Sequence, residues 1–266
     1  TYHGPEFRLS ARYAFTDNFS VKAGFNSMQQ YIHKLSNTVI MSPTDTWKLS
    51  DVNIKPQRGW QAAAGLYLNS PSGIWEYSVE GYYKRMSDYL DYRGGAKLLM
   101  NHHIETDVIN TQGHAYGVEL QVKKQVGKLN GWMSYTYSRT FLRQNDKRIE
   151  KPVNNGDWYP TEYDKPHDFK FVGNYKFTHR YSMSINVDYS TGRPTTIPAG
   201  QYYDESTQSM RVYYTERNSY RIPDYFRTDI SFNIEPSHHL TLLTHSSISI
   251  GVYNVTGRKN VYCLLY

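Results

Sequence analysis

The sequence predicts an all-β fold, an antiparallel transmembrane β-barrel. Three observations carry that prediction. Apolar residues recur with a period of two over about ten segments. Several of those segments, such as 74–84 and 167–177, run the roughly 9–11 residues that a tilted strand needs to cross a bilayer core. The connections between them alternate short and long.

In chain order, Phe7, Leu9, Ala11, Tyr13 and Phe15 alternate with Glu6, Arg8, Ser10 and Arg12, and after Thr16–Asn18 the pattern resumes with Phe19, Val21, Ala23 and Phe25. Trp60, Ala62, Ala64, Leu66 and Leu68 form the third row, and a Ser70–Gly73 turn leads into Trp75, Tyr77, Val79, Gly81 and Tyr83. Tyr116, Val118, Leu120 and Val122 follow, then Met133, Tyr135 and Tyr137. Phe169 to Phe177, Tyr181 to Tyr189, Phe226 to Ile234 and Ile248 to Val252 close the series. A soluble sandwich or propeller would also alternate. Aromatic residues at both ends of many rows, such as Trp75 and Tyr83 or Tyr181 and Tyr189, favour the membrane barrel, because amphipathic rings settle at headgroup depth. On this reading Trp75, Tyr77, Val79 and Tyr83 face lipid, while Glu76, Ser78, Glu80 and Lys84 face the lumen.

The short links are Thr16–Asn18, Ser70–Gly73, Gly127–Asn130 and Thr178–Arg180; the long ones are roughly 31–57, 85–112, 142–165 and 192–224. Sorting short turns to one side and long loops to the other matches outer-membrane barrels, whose turns are periplasmic and loops external. A sandwich or propeller has no reason to sort them.

Composition agrees. The 266 residues are 39% hydrophobic and 20% charged, with 26 Tyr, 10 Phe and 5 Trp. A mean hydropathy of −0.70 leaves no room for a helical span of about 18 or more apolar residues. Disordered chains are poor in aromatics, and one cysteine excludes a disulfide scaffold or a Cys-based zinc site. The net charge of +6 is scattered, its densest runs being Lys123-Lys124 and Lys147-Arg148, so no nucleic-acid partner is expected. The start, Thr1-Tyr2-His3-Gly4-Pro5, has neither the basic nor the apolar region of a signal peptide. With the strand pattern, that favours a lost N-terminus over a cytoplasmic protein.

No catalytic constellation is present: there is no Gly-x-Ser-x-Gly elbow, phosphate loop or His-Glu-x-x-His, and no enzyme, cofactor or metal is expected. Glu76 and Glu80 share a strand face and read as pore or plug contacts. His102-His103 and His238-His239 are adjacent pairs that point apart on a strand, and the second pair falls in a predicted periplasmic turn. Cys263 reads as a small apolar residue. The Asn18 and Asn254 glycosylation patterns read as chance. The long loops hold the candidate ligand-binding residues: Trp158, Tyr159, Arg193, Tyr202, Tyr203, Tyr213, Tyr214 and Arg217, with Arg211 nearby. Flat rings stack on sugars or chelates and guanidinium grips carboxylates, and loops 142–165 and 192–224 should meet above the lumen. The alternative is that these rings pack the loops together.

Several stretches resemble late barrel strands of TonB-dependent outer-membrane receptors. They are Arg58-Gly-Trp-Gln-Ala-Ala-Ala-Gly-Leu-Tyr, Glu76-Tyr-Ser-Val-Glu-Gly-Tyr-Tyr-Lys-Arg-Met, and Gly113-His-Ala-Tyr-Gly-Val-Glu-Leu-Gln-Val-Lys-Lys followed by Gly127-Lys-Leu-Asn-Gly-Trp-Met-Ser-Tyr-Thr-Tyr-Ser. The Tyr163-Asp-Lys-Pro-His-Asp strand entry and Tyr253-Asn-Val-Thr-Gly-Arg-Lys-Asn complete the set, whose order resembles the Bacteroidetes branch. That branch often carries a carboxypeptidase-regulatory-like N-terminal domain. The resemblance implies a bacterial outer-membrane receptor for TonB-dependent active uptake of a large or scarce nutrient: a metal chelate, a corrinoid or a glycan. It implies residues 1–266 as about ten strands from the C-terminal part of a 22-stranded barrel, with plug domain, N-terminal strands and last strands absent. Partners would be the inner-membrane TonB complex, reached through a missing N-terminal segment, the receptor's own plug, outer-membrane lipid and a surface lipoprotein. A passive pore, a structural or adhesive barrel, and a soluble carbohydrate-binding β-domain stay open as alternatives.

Overall fold

A computed structural model describes residues 2–35, 46–92, 108–146, 152–205, 208–214, 216–235 and 247–261. Among these, ten strands form an antiparallel meander in which each pairs with the next: β1 (Phe7–Ala14), β2 (Phe19–Gln30), β3 (Gln57–Asn69), β4 (Trp75–Tyr92), β5 (Val108–Lys124), β6 (Leu129–Gln144), β7 (His167–Lys176), β8 (Tyr181–Ser190), β9 (Tyr225–Ile234) and β10 (Ile248–Val252). Each of the ten rows read from the sequence is one of these strands. The two-residue strand Tyr159–Pro160 joins the same sheet beside β6.

Register places the rows on two walls. Ala11, Ala23, Ala64, Gly81, Val118 and Tyr137 are successive cross-strand partners on the outward wall. Trp75, Tyr77, Val79 and Tyr83 are exposed on that wall, while Glu76, Ser78, Glu80 and Lys84 alternate with them and are partly covered on the inner one. The inner wall is polar and self-bonded: the Tyr67 hydroxyl donates to Glu80 Oε1 at 2.6 Å, and Lys123 pairs with Glu76 at 3.5 Å. Tyr82 lies across Gly117, where a Cβ would come within 2.9 Å of its ring, so the glycine makes room for the aromatic.

Short turns repeat one chemistry. Thr16 and Thr178 each use the side-chain hydroxyl to accept the backbone N–H three residues on, at Phe19 (3.0 Å) and Tyr181 (3.2 Å). The long connections differ from expectation in length. β4 runs to Tyr92, β5 starts at Val108 and β6 runs to Gln144, so regions expected as loops from 85 and from 142 begin as strand. Two other long connections carry hairpins, Ile32–Leu35 with Thr46–Leu49 and Pro198–Asp204 with Ser209–Tyr214. A small apolar cluster of Ile54, Val108, Leu90 and Tyr92 supports the protruding strand ends. His102, His103, Lys147, Arg148, His238, His239 and Cys263 lie outside the described residues.

Candidate functional site

The long-loop end of the lumen is organised by one irregularity in β4. Asp88 adopts φ of 55°, and the register with β5 shifts between Met86 and Tyr89. A one-residue bulge reverses the side on which each later side chain stands. Odd residues of β4 face outward up to Arg85; beyond the bulge Tyr89 and Asp91 turn inward, opposite Thr111 and Ile109, both fully buried. Period-two reading misses this, because Asp91 falls on the outward row if the alternation is simply continued.

Asp91 is the centre of the first cluster. Its Oδ2 accepts the Tyr159 hydroxyl at 2.5 Å and pairs with Arg217 Nη1 at 2.7 Å. Tyr159 is buried, held beside Leu142 by the Tyr159–Pro160 pairing. The Asn154 side chain behaves as a strand partner for Arg217, accepting from its N–H at 2.7 Å and donating to its carbonyl at 3.1 Å. Asn218, at φ of 54°, donates to the Pro160 carbonyl at 2.8 Å. The loops expected to meet therefore do meet, through Asn154–Arg217 and Asn218–Pro160. Burial, then Asp91, raises the Tyr159 phenol; burial, then Asp91, also raises the Glu162 carboxyl, against the pull of Arg217 and Arg193. For Arg217, burial opposes the charge but Asp91 and Tyr159 outweigh it, so its guanidinium is held ionised. These groups border a cavity of about 290 Å³ that also reaches His33.

Asp164 anchors the second cluster, its side chain fully buried. It accepts Arg139 Nε at 3.2 Å and the Thr140 N–H at 2.8 Å, and it pairs with Arg221. Arg221 also donates to the carbonyls of Asp164 and Gly192. This gives the Tyr163-Asp-Lys-Pro-His-Asp segment its physical meaning: proline ends the ladder, and the preceding carboxylate clamps the break. Beside it a cavity of about 370 Å³ is bordered by Lys165, Asp168, Lys170, Asp188, Arg193 and Tyr225. In the Tyr253 to Asn260 segment, Asn260 bonds both backbone groups of Phe226, at 3.1 and 3.0 Å, standing in for a strand beside β9.

The sequence-predicted residues separate into three groups. Tyr159 and Arg217 are committed to the Asp91 cluster, and Arg193 borders the second cavity while its carbonyl accepts Ile222 N–H at 3.1 Å. Trp158 does not join them above the lumen. It sits edge-on to His114 at 4.4 Å on the outward wall, with Arg143 over its ring at 5.0 Å. Adjacent residues of an extended segment point to opposite sides, so Trp158 and Tyr159 could not share one vestibule. Tyr202, Tyr203, Tyr213 and Tyr214 lie on the Pro198–Tyr214 hairpin, where the first three are exposed and Arg211 is the register partner of Tyr202. Sequence reasoning missed Asp91, Asn154, Glu162 and Asp164. Asp164 had a signal in the Asp-Lys-Pro break; Asp91 had none. Among the described residues no group of His, Cys, Asp and Glu is placed to hold a metal ion.

The family model described as TonB dependent receptor-like, beta-barrel matches residues 2–255. No curated protein matches the chain. Among solved structures, the ferripyoverdine receptor of the Pseudomonas aeruginosa outer membrane is 14% identical with a TM-score of 0.58, covering 94% of this chain and 29% of its own. The ferric-catecholate import receptor Fiu of Escherichia coli gives 14%, 0.58, 94% and 30% by the same measures. The FrpB iron transporter of Neisseria meningitidis gives 13%, 0.58, 95% and 35%. The chain thus spans about a third of the length of the structures it resembles.

Proposed function

The chain belongs to the TonB-dependent receptor β-barrel family, whose barrels lie in the bacterial outer membrane, and from that premise we propose that it forms part of the barrel of an active nutrient receptor. The ten strands would be one stretch of a larger barrel of about 22 strands. Its span of 29% to 35% of three solved relatives, and the absence of β1–β10 pairing among the described residues, support this reading. The order of the sequence motifs supports placing it in the Bacteroidetes branch. Partners are the receptor's plug, the inner-membrane TonB complex and a surface lipoprotein. The cargo is a large or scarce nutrient (metal chelate, corrinoid or glycan) that meets the loops first.

One observation carries the proposal: the long-loop end joins a braced, polar lumen rim to a hairpin that presents Tyr202, Tyr203 and Tyr213 to solvent. Rings stack on planar or ring-shaped ligands while charged groups below orient them. Energy input comes from the TonB complex, which pulls on the plug; this chain supplies the wall and the first contact.

Cells depending on the full-length receptor are grown with a ferric chelate, a corrinoid or a glycan as the sole source of iron, cobamide or carbon. Growth on one source should be lost on deletion, and slowed by Tyr202→Ala with Tyr203→Ala at unchanged receptor abundance. Collapsing the proton-motive force should stop uptake. Uptake that continues would favour the passive pore instead.

A further inference from the structure

Among the described residues, the luminal wall of β7 to β9 leaves the Asp188 carboxylate without a partner. Register puts Lys170, Asp188 and Arg227 in one cross-strand row, with Asp168, Ser190 and Tyr225 in a parallel row nearer the long-loop end. Both rows trace back through β6 and β5 to Ser78 and Glu80, so these side chains share the inner face. Asp188 therefore has a cation opposite it on either side, and neither is bonded to it. Lys170 turns instead to Asp168, at 3.7 Å, and Arg227 Nε donates to Asp229 at 2.8 Å. Asp188 is partly covered, yet it forms no hydrogen bond or ion pair among the described residues.

Asp188 borders the cavity of about 370 Å³ beside the Asp164 cluster. Lys165 and Arg193 border it nearer the long loops, and the exposed Lys165 ammonium has no carboxylate partner among the described residues. Asp188 and Arg193 are five positions apart, at most about 18 Å of chain. Ile222, Pro223 and the Tyr225 ring give the cavity apolar surface. Backbone fixes its opening: the Ile222 N–H donates to the Arg193 carbonyl at 3.1 Å, and a Cβ at Gly192 would run into the Ile222 carbonyl. The charged groups that border the cavity are thus not needed to hold it open.

We propose that this cavity binds a short peptide with both termini free, its ammonium on Asp188 and its carboxylate on Lys165 and Arg193. The argument is one of sign and spacing. A neutral ligand would leave the carboxylate and the ammonium as they are, without counter-charges. A bare anion or a bare cation would satisfy one end and be repelled by the other. A zwitterion meets both, through charge-assisted hydrogen bonds roughly twice as strong as neutral ones. The spacing suits a ligand of a few residues, and the volume falls within the roughly 300–1,000 Å³ of ligand pockets. Tyr225, Ile222 and Pro223 offer its side chains a surface to pack on. The site goes beyond chelate, corrinoid and glycan as cargo, and it rests on the receptor reading for access from outside the cell.

The test titrates the full-length receptor in detergent with alanyl-tyrosyl-alanine, with its N-acetylated form and with its C-amidated form, by calorimetry. The free peptide should bind, and each blocked form should bind on the order of tenfold more weakly. Equal binding of the three, or no binding of the free peptide, would overturn the proposal without any variant. Asp188→Asn, which keeps the shape, should lower affinity for the free peptide to that of the acetylated one while keeping the preference over the amide. Lys165→Gln with Arg193→Gln should do the reverse. Lys123→Gln, which removes charge from the luminal wall elsewhere, should change nothing. Variants that weaken all three peptides alike would overturn the assignment of the two ends. Uptake of the same peptide by cells is read separately. Growth on another cargo without peptide binding overturns the peptide site and leaves the receptor reading intact. Peptide binding with uptake that survives collapse of the proton-motive force overturns the active receptor and leaves the site.

Discussion

Two regions rise from the same end of the lumen and are built in opposite ways. The segment around Tyr159 to Asp164, with Arg217 to Arg221, is fastened by buried charge: Asp164 between Arg139 and Arg221, and Asp91 between Tyr159 and Arg217. The Pro198–Tyr214 hairpin is a two-stranded ladder, and the hydroxyls of Tyr202, Tyr203 and Tyr213 form no hydrogen bond among the described residues. The first region has used its charged groups to hold itself. The second has left its rings available. A site that must be both precise and adaptable divides these tasks between a braced base and a free tip.

The largest expected effect is at the base. Asp164→Ala removes the shared partner of two guanidinium groups and frees the Thr140 N–H. Breaking a buried pair by deleting one partner costs about 3–5 kcal/mol. Because Arg139 and Arg221 are a quarter to a third exposed, the lower end, about 3 kcal/mol, is expected in denaturant titration of the full-length receptor in bilayers. Asp164→Asn, which keeps the acceptor, should lose less. An unaffected Asp164→Ala would mean that the break before β7 is held by proline geometry alone.

Arg217→Ala should come next, at about 2–3 kcal/mol, since it leaves the Asp91 carboxylate without its counter-charge, held only by the Tyr159 hydroxyl and the Tyr92 N–H. Its effect should be local, seen as faster amide exchange at position 217, whose N–H donates to the Asn154 side chain, and at Tyr92, whose N–H donates to Asp91. The double variant Asp91→Ala with Arg217→Ala should cost less than the sum of the two single changes, because each alone strands a charge.

How far all this could be read in advance depends on which local rule governs. Strand order, wall assignment and the short threonine turns follow from period two and hydroxyl chemistry, and Trp75 to Lys84 face as the alternation requires. The reading fails where alternation is broken on purpose. A bulge leaves no mark on hydrophobic periodicity, so the stretch from 85 reads as loop and Asp91 is assigned to neither wall. Trp158 beside Tyr159 looked like a pair, although extended backbone must separate them. Arg217 looked like a ligand group because its counter-charge lies 126 positions earlier in the chain, at Asp91, a distance that pattern reading does not bridge.

A smaller effect follows pH. Glu162 has its pKa raised by burial, so the folded state binds its proton more tightly than the unfolded chain does. Its contribution is fully present below the ordinary value of 4.5 and is lost as pH rises through the raised folded value. His33, on the same cavity, is lowered by burial; its contribution is present above 6.5 and is lost as pH falls through the lowered folded value. Amide exchange at residues 161–163 measured from neutral to mildly acidic pH should therefore slow in a His33→Gln background. Adding Glu162→Gln should flatten the profile.

The smallest stability effect, and the one that bears most on function, belongs to the hairpin. Tyr202 and Tyr203 are about half exposed, at 51% and 57%, and their rings and hydroxyls form no hydrogen bond or ring contact among the described residues. Substituting each with Ala should shift stability by no more than about 0.5 kcal/mol, the usual range for surface changes. A stacked ring in a bound complex is worth more, about 0.5–1.5 kcal/mol beyond the area it buries. Cargo affinity should therefore fall severalfold where stability does not move, the reverse of the pattern expected for Asp164. Phe at either position should recover most of the loss if stacking is the source, whereas a requirement for the hydroxyl would leave Phe as weak as Ala. Equal losses of stability and affinity on Tyr202→Ala would place the hairpin with the braced base, and the division between base and tip would fail.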